Sequence, residues 1–117
     1  MNYVDGFVAA VPTQNKQKFI AHVKEAAVLI KEYGALRVVE CWGDDVPEGD
    51  RTSMPMAVKC EINETVIFSW IEWPDKETRD KGMNAMIQDE RMAKLDMPFD
   101  AKRCILGGFT PLLDAKF

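Results

Sequence analysis

The chain reads as a single α+β domain, residues 1–117, of the ferredoxin-like kind, with a four-stranded antiparallel sheet. Three observations predict it. The regular segments run strand, helix, strand, strand, helix, strand, which is two split βαβ units in tandem. A chain of this length suits one core and buries roughly two-thirds of its unfolded surface. Apolar side chains also point to both faces of the strands, so a sheet with helices on one side needs a second cover on the other.

Residues 3–12, YVDGFVAAVP, are rich in Val, Phe and Tyr and stop at Pro12, the pattern of a strand. Thr13 is placed to cap the next helix by accepting a backbone N–H bond. Phe19, Ile20, Val23, Ala26, Ala27, Ile30 and Tyr33 then recur at three- and four-residue steps, with lysines and glutamates between them. That is an amphipathic helix, stopped by Gly34, whose backbone tolerates a left-handed turn. ALRVVECWG (35–43) is the second strand, and DDVPEGD (44–50) is a loop by its Asp, Pro and Gly content. TSMPMAVKC fits a short helical turn or an irregular approach. TVIFSWIEW (65–73) is the strongest strand in the chain. Pro74 and Asp75 open a second helix, with Gly82, Met83, Met86 and Ile87 on its apolar side. DERMAKL (89–95) adds a further turn capped by Asp89, MPFDAKR ends it, and CILGGFTPLL (104–113) is the last strand. Right-handed crossovers leave a gap between the first two strands, which the third fills antiparallel. The expected spatial order is fourth, first, third, second.

With 15 basic and 19 acidic residues the net charge is −4, and no basic stripe could track phosphates, so no nucleic-acid partner is expected. No run approaches the roughly 18 apolar residues a bilayer span requires, so no membrane partner is expected either. MNYVDGFVAAVP has no basic leader and holds Asp5 within its apolar run, unlike a signal peptide. Cys41, Cys60 and Cys104 are odd in number and widely spaced, which points to free thiols in a reducing cytoplasm.

The stretch FSWIEWPDKE carries the question of function. Val66, Phe68 and Trp70 point one way, while Ile67, Ile71 and Trp73 point the other. In the second strand Leu36, Val38 and Trp42 oppose Val39 and Cys41. A second copy of the same sheet is the simplest cover, since soluble oligomers are most often twofold dimers. One of the two tryptophans should then lie in a sheet-to-sheet interface.

Asp5, Glu40 and Glu72 stand inside strands, where Asp is disfavoured. A carboxylate among apolar groups must be paired, hydrogen-bonded or protonated. Arg37 and Arg103 are the expected partners, and Trp42 and Trp70 offer flat walls for a ligand. Antiparallel pairing brings Asp5, Arg37 and Glu72 to one end of the sheet as a polar cluster. Glu40 and Trp42 fall at the other end, near Arg103 and Cys104. No cofactor or metal is expected: His22 is the single histidine, and metal sites assemble several ligands. Gly107-Gly108 has no helix after it to cradle phosphate and fits a bulge or a close backbone approach. Met83, Met86, Met92 and Met97 fit a soft core or pocket lining, and Ser69 has no histidine beside it in sequence for a triad.

YVDGFV, GALRVVECWGDDVP, TVIFSWIEWPDKETRD, DERM and MPFDAKRCILGGF together resemble the YbaA-like family of uncharacterised bacterial proteins, grouped with the dimeric α/β barrels. The resemblance runs through nearly the whole chain and implies a ferredoxin-like subunit in a barrel-like homodimer. It implies no activity. The wider superfamily holds antibiotic-biosynthesis-type monooxygenases, haem-degrading enzymes, lactone isomerases and stress proteins, and kinship of fold is weak ground for chemistry. Two functions stand. One is a homodimer that binds a small apolar or aromatic molecule in a pocket of each subunit. The other is a cofactor-independent monooxygenase- or isomerase-like enzyme with a strand carboxylate as acid or base.

Overall fold

The computed structural model describes residues 2–117. Its elements are β1 (Tyr3–Pro12), α1 (Lys16–Glu32), β2 (Arg37–Trp42), α2 (Met54–Ala57), β3 (Glu64–Trp73), α3 (Lys76–Gln88), α4 (Glu90–Ala93) and β4 (Ile105–Phe109). The strands form one antiparallel sheet in the order β2-β3-β1-β4. That is the expected order read from the other edge, and it is consistent with the ferredoxin-like plan.

Helix α1 buries Phe19, Ala26 and Ile30 of the stripe that its periodicity predicts, and Leu29 besides. Its start differs from expectation. Thr13–Asn15 form a 3-10 turn, and the Thr13 hydroxyl bonds that of Thr65 at 2.7 Å instead of capping the helix. Asn15 takes the cap position but spends its side chain on the Pro98 carbonyl, 2.9 Å away. Gly34 ends the helical run at φ +109°, a conformation open to glycine. Helix α3 begins where Asp75 accepts a bond from the Thr78 amide at 2.7 Å, and α4 where Asp89 accepts one from Arg91 at 2.8 Å.

Two further sequence expectations are corrected. Ile87 is 83% exposed and lies off the packed face of α3, which buries Gly82 against Trp73. Strand β4 stops at Phe109 and not at residue 113: Pro111 has no N–H for a ladder, and residues 110–117 run on without helix or strand.

Register sorts the side chains into two faces. The helix side holds the row Val38, Ile71, Asp5 and Gly108, then Glu40, Ser69, Phe7 and Leu106, then Trp42, Ile67 and Ala9. The open side holds Arg37, Glu72, Val4 and Phe109, then Val39, Trp70, Gly6 and Gly107, then Cys41, Phe68, Val8 and Ile105. The core lies on the helix side, in clusters around Ala9, Val11, Phe19 and Ile67 and around Ala26, Ile30, Ile71 and Trp73. At one end of the open side Val58, just past α2, packs on Ala10 and Val66. Among the described residues no helix is long and apolar enough to cross a membrane.

Candidate functional site

The open side of the sheet is apolar and largely bare. Phe68 is 39% exposed, Ile105 45% and Phe109 61%, and Val8, Val39, Cys41 and Trp70 are half-buried. Solvent is an unfavourable cover for such a surface. The pattern that opposes Phe68 and Trp70 to Ile71 and Trp73 is therefore present in three dimensions, and Trp70 is the tryptophan on the uncovered side.

At the Trp70 end this face sinks into a groove of about 870 Å³, within the range of about 300–1,000 Å³ usual for small-molecule sites. Val4, Gly6, Phe68 and Trp70 form its floor, and Phe109, Pro111 and Leu113 form one wall. Gly6 and Gly107 stand beside Trp70 in the register, and the Phe109 ring lies over both, 3.7 and 3.5 Å from where their Cβ atoms would be. The rings of Phe68 and Trp70 lie 5.9 Å apart, tilted at 54°. The far end is polar. Glu72 accepts a bond from Trp70 Nε1 at 3.0 Å, and Arg37 Nη1 stands 3.5 Å from the same carboxylate oxygen. Arg37 is 63% exposed, so most of its donors face water.

Asp5 does not join them. It stands one residue out of register from the Arg37–Glu72 row and so faces the helices, 1% exposed. The expected cluster of Asp5, Arg37 and Glu72 is split between the two sides of the sheet. Arg79 of α3 is the partner of Asp5, through Nη2 at 2.8 Å and Nε at 3.0 Å, and Trp73 Nε1 donates a further bond at 2.9 Å. Asp5 raises the Arg79 pKa, and the guanidinium also lies 5.3 Å from the centre of the Tyr3 ring. Gly108 has the close backbone approach expected of a strand glycine, since a Cβ there would strike the Tyr3 hydroxyl and the Arg79 guanidinium. This group ties α3 to the sheet.

Glu40 and Trp42 lie at the other end of β2, on the helix side. Trp42 sits 6.0 Å from Phe19, under Lys16 Nζ at 5.5 Å, in the cluster that also takes Phe99 and Cys104. Glu40 remains exposed as a residue, yet desolvation of its carboxyl pushes its pKa up to about 7, while a hydrogen bond with the Ser69 hydroxyl pulls the other way. Arg103 is not its partner. The guanidinium forks onto Glu64 with two bonds of 2.7 Å, adds one of 3.1 Å to Asp100, and holds the Glu64 carboxyl below its usual range. His22 leans edge-on against Phe99, and burial lowers its pKa. Among the described residues no group of three or more His, Cys, Asp or Glu is placed to hold a metal ion.

The family described as "Protein of unknown function (DUF1428)" matches residues 2–101. The chain belongs to that family. It is also 53% identical, over 116 residues, to the uncharacterized protein YbaA of Escherichia coli strain K12, a match that covers 97% of this chain and 99% of the relative. The YbaA of Shigella flexneri matches to the same extent. The motifs that suggested the YbaA-like family thus extend through a full-length likeness. Arg79 was within the TRD of that motif, but no local signal pairs it with a carboxylate 74 residues away.

Proposed function

We propose that the chain acts as a homodimer closed over the open face of its sheet, as a dimeric α/β barrel. Each subunit holds a small apolar or aromatic molecule in the groove beside Trp70. The observation that carries this reading is the apolar row Cys41, Phe68, Val8 and Ile105, in which Phe68 and Ile105 are exposed and which leads into a groove of about 870 Å³. A second copy brings an apolar surface of the same shape and buries on the order of 2,000 Å² in total. The groove supports a neutral ligand, because Arg37 and Lys116 are balanced there by Glu72 and Asp114. Three free thiols suit the reducing cytoplasm. Native mass spectrometry of freshly purified protein tests both halves. The expected spectrum is a dimer with retained small-molecule mass that Trp70→Ala removes. A dimer without retained mass under gentle desolvation removes the ligand and leaves the assembly; a monomer removes both.

A second reading, an enzyme with a strand carboxylate as acid or base, rests on Glu40. A carboxyl poised near 7 suits proton transfer at neutral pH. Because its folded pKa of about 7 exceeds the ordinary 4.5, the folded state holds the extra proton between those values. Stability due to this group therefore falls as pH rises through that window, and is level below and above it. Thermal melting of wild type and Glu40→Gln from acid to mild alkaline pH reads this directly. The variant is expected to gain on wild type across the window. Parallel curves place Glu40 near its ordinary pKa and remove the acid/base reading.

A further inference from the structure

We infer that the segment following β4, residues 110–117, is an arm that docks on the second subunit and sets the strength of the dimer. This rests on the sheet-to-sheet reading above. The segment leaves the β4 edge at Phe109, and the groove it walls is bounded at the opposite edge by Leu36 and Arg37 of the β2 end. It therefore lies along the open face, and a copy seated on that face must meet its outer surface.

The side chains divide accordingly. Pro111 and Leu113 line the groove, whereas Leu112 is 93% exposed and Phe117 119% exposed. These two large apolar groups, on a segment without helix or strand, are left exposed by the described residues of their own subunit. Pro111 restricts the backbone at the root of the segment, which lowers the entropy lost when it docks. Charge points to the same occupant. Arg37 and Lys116 carry one sign and Glu72 and Asp114 the other, all within one groove. A twofold interface sets a patch against its own copy, so a balanced patch is self-complementary, while a partner of a single charge gains little there. What covers the outer side of the arm is thus a second copy of this chain, while the groove beneath it keeps its small molecule.

Sedimentation equilibrium of the full chain and three variants tests the arm. One variant ends at Thr110, one carries Leu112→Ser and Phe117→Ser together, and one carries Phe68→Asp at the middle of the bare face. The first two are expected to raise the dimer dissociation constant by about tenfold or more, with far-UV circular dichroism unchanged. Phe68→Asp is expected to abolish the dimer. A chain that dimerises through Phe68 but is indifferent to both arm variants overturns the arm and leaves the sheet contact standing. A full chain that stays monomeric at micromolar concentration, or binds only a different protein, overturns both. The serine pair keeps the test informative if the shortened chain fails to fold.

Discussion

Asp5 and Glu72 are both acids within strands, yet their surroundings give them different weights. Asp5 is 1% exposed and takes bonds from Arg79 and Trp73, whereas the Arg37–Glu72 pair is long, 3.5 Å, with an arginine 63% exposed. Removing one partner of a buried pair leaves a charge uncompensated, at about 3–5 kcal/mol. An exposed pair contributes about 0–1 kcal/mol. Asp5→Asn is therefore expected to cost several times what Glu72→Gln costs, measured by urea unfolding. Equal losses would show that the Asp5–Arg79 contact does not fasten α3. That a strand carboxylate needs a partner was legible in the sequence. Which partner was not, because Arg79 is brought near only by the packing of α3, and because a shift of one residue in register moves a side chain to the other face.

Elements were legible in proportion to how much their own pattern determined them. Helix α1 has a complete apolar stripe and was readable to within a turn. Helix α3 has a sparse one, and Ile87 looked like part of it although the burial belongs to Gly82. The reason is a neighbour that the sequence pattern cannot show. A Cβ at Gly82 would lie 2.7 and 2.8 Å from ring atoms of Trp73 and 3.0 Å from the Tyr33 carbonyl. Trp73 is fully buried and held by its bond to Asp5, so it has little room to yield. Gly82→Ala gains about 1 kcal/mol in helix propensity but over-packs this contact, at about 1–3 kcal/mol. The net expectation is a lower melting temperature and an altered near-ultraviolet tryptophan signal. An unchanged melt with an unchanged signal would mean that α3 slides outward at no cost.

At the scale of the molecule, the sheet has one face packed by helices over its centre, with Leu106 left exposed at the β4 edge, and one that presents Phe68, Ile105 and Phe109 to water. A chain that buries the second face only on association gains stability from its partner. Folding and dimerisation are then linked, and the melting temperature rises with protein concentration, by several degrees between dilute and concentrated samples. Phe68→Asp separates the two contributions. Residue 68 lies in the middle of the open face and is already partly solvated, so a carboxylate there costs the subunit little. Between two sheets the same carboxylate would be desolvated without a counter-charge. The variant is therefore expected to melt lower than wild type and at a temperature independent of concentration. Calorimetry over a hundredfold range of concentration distinguishes the cases. If wild type and variant melt together, and neither moves with concentration, the open face is stable against water alone. Its apolar rows would then have to be explained by the groove beside Trp70, without a second subunit.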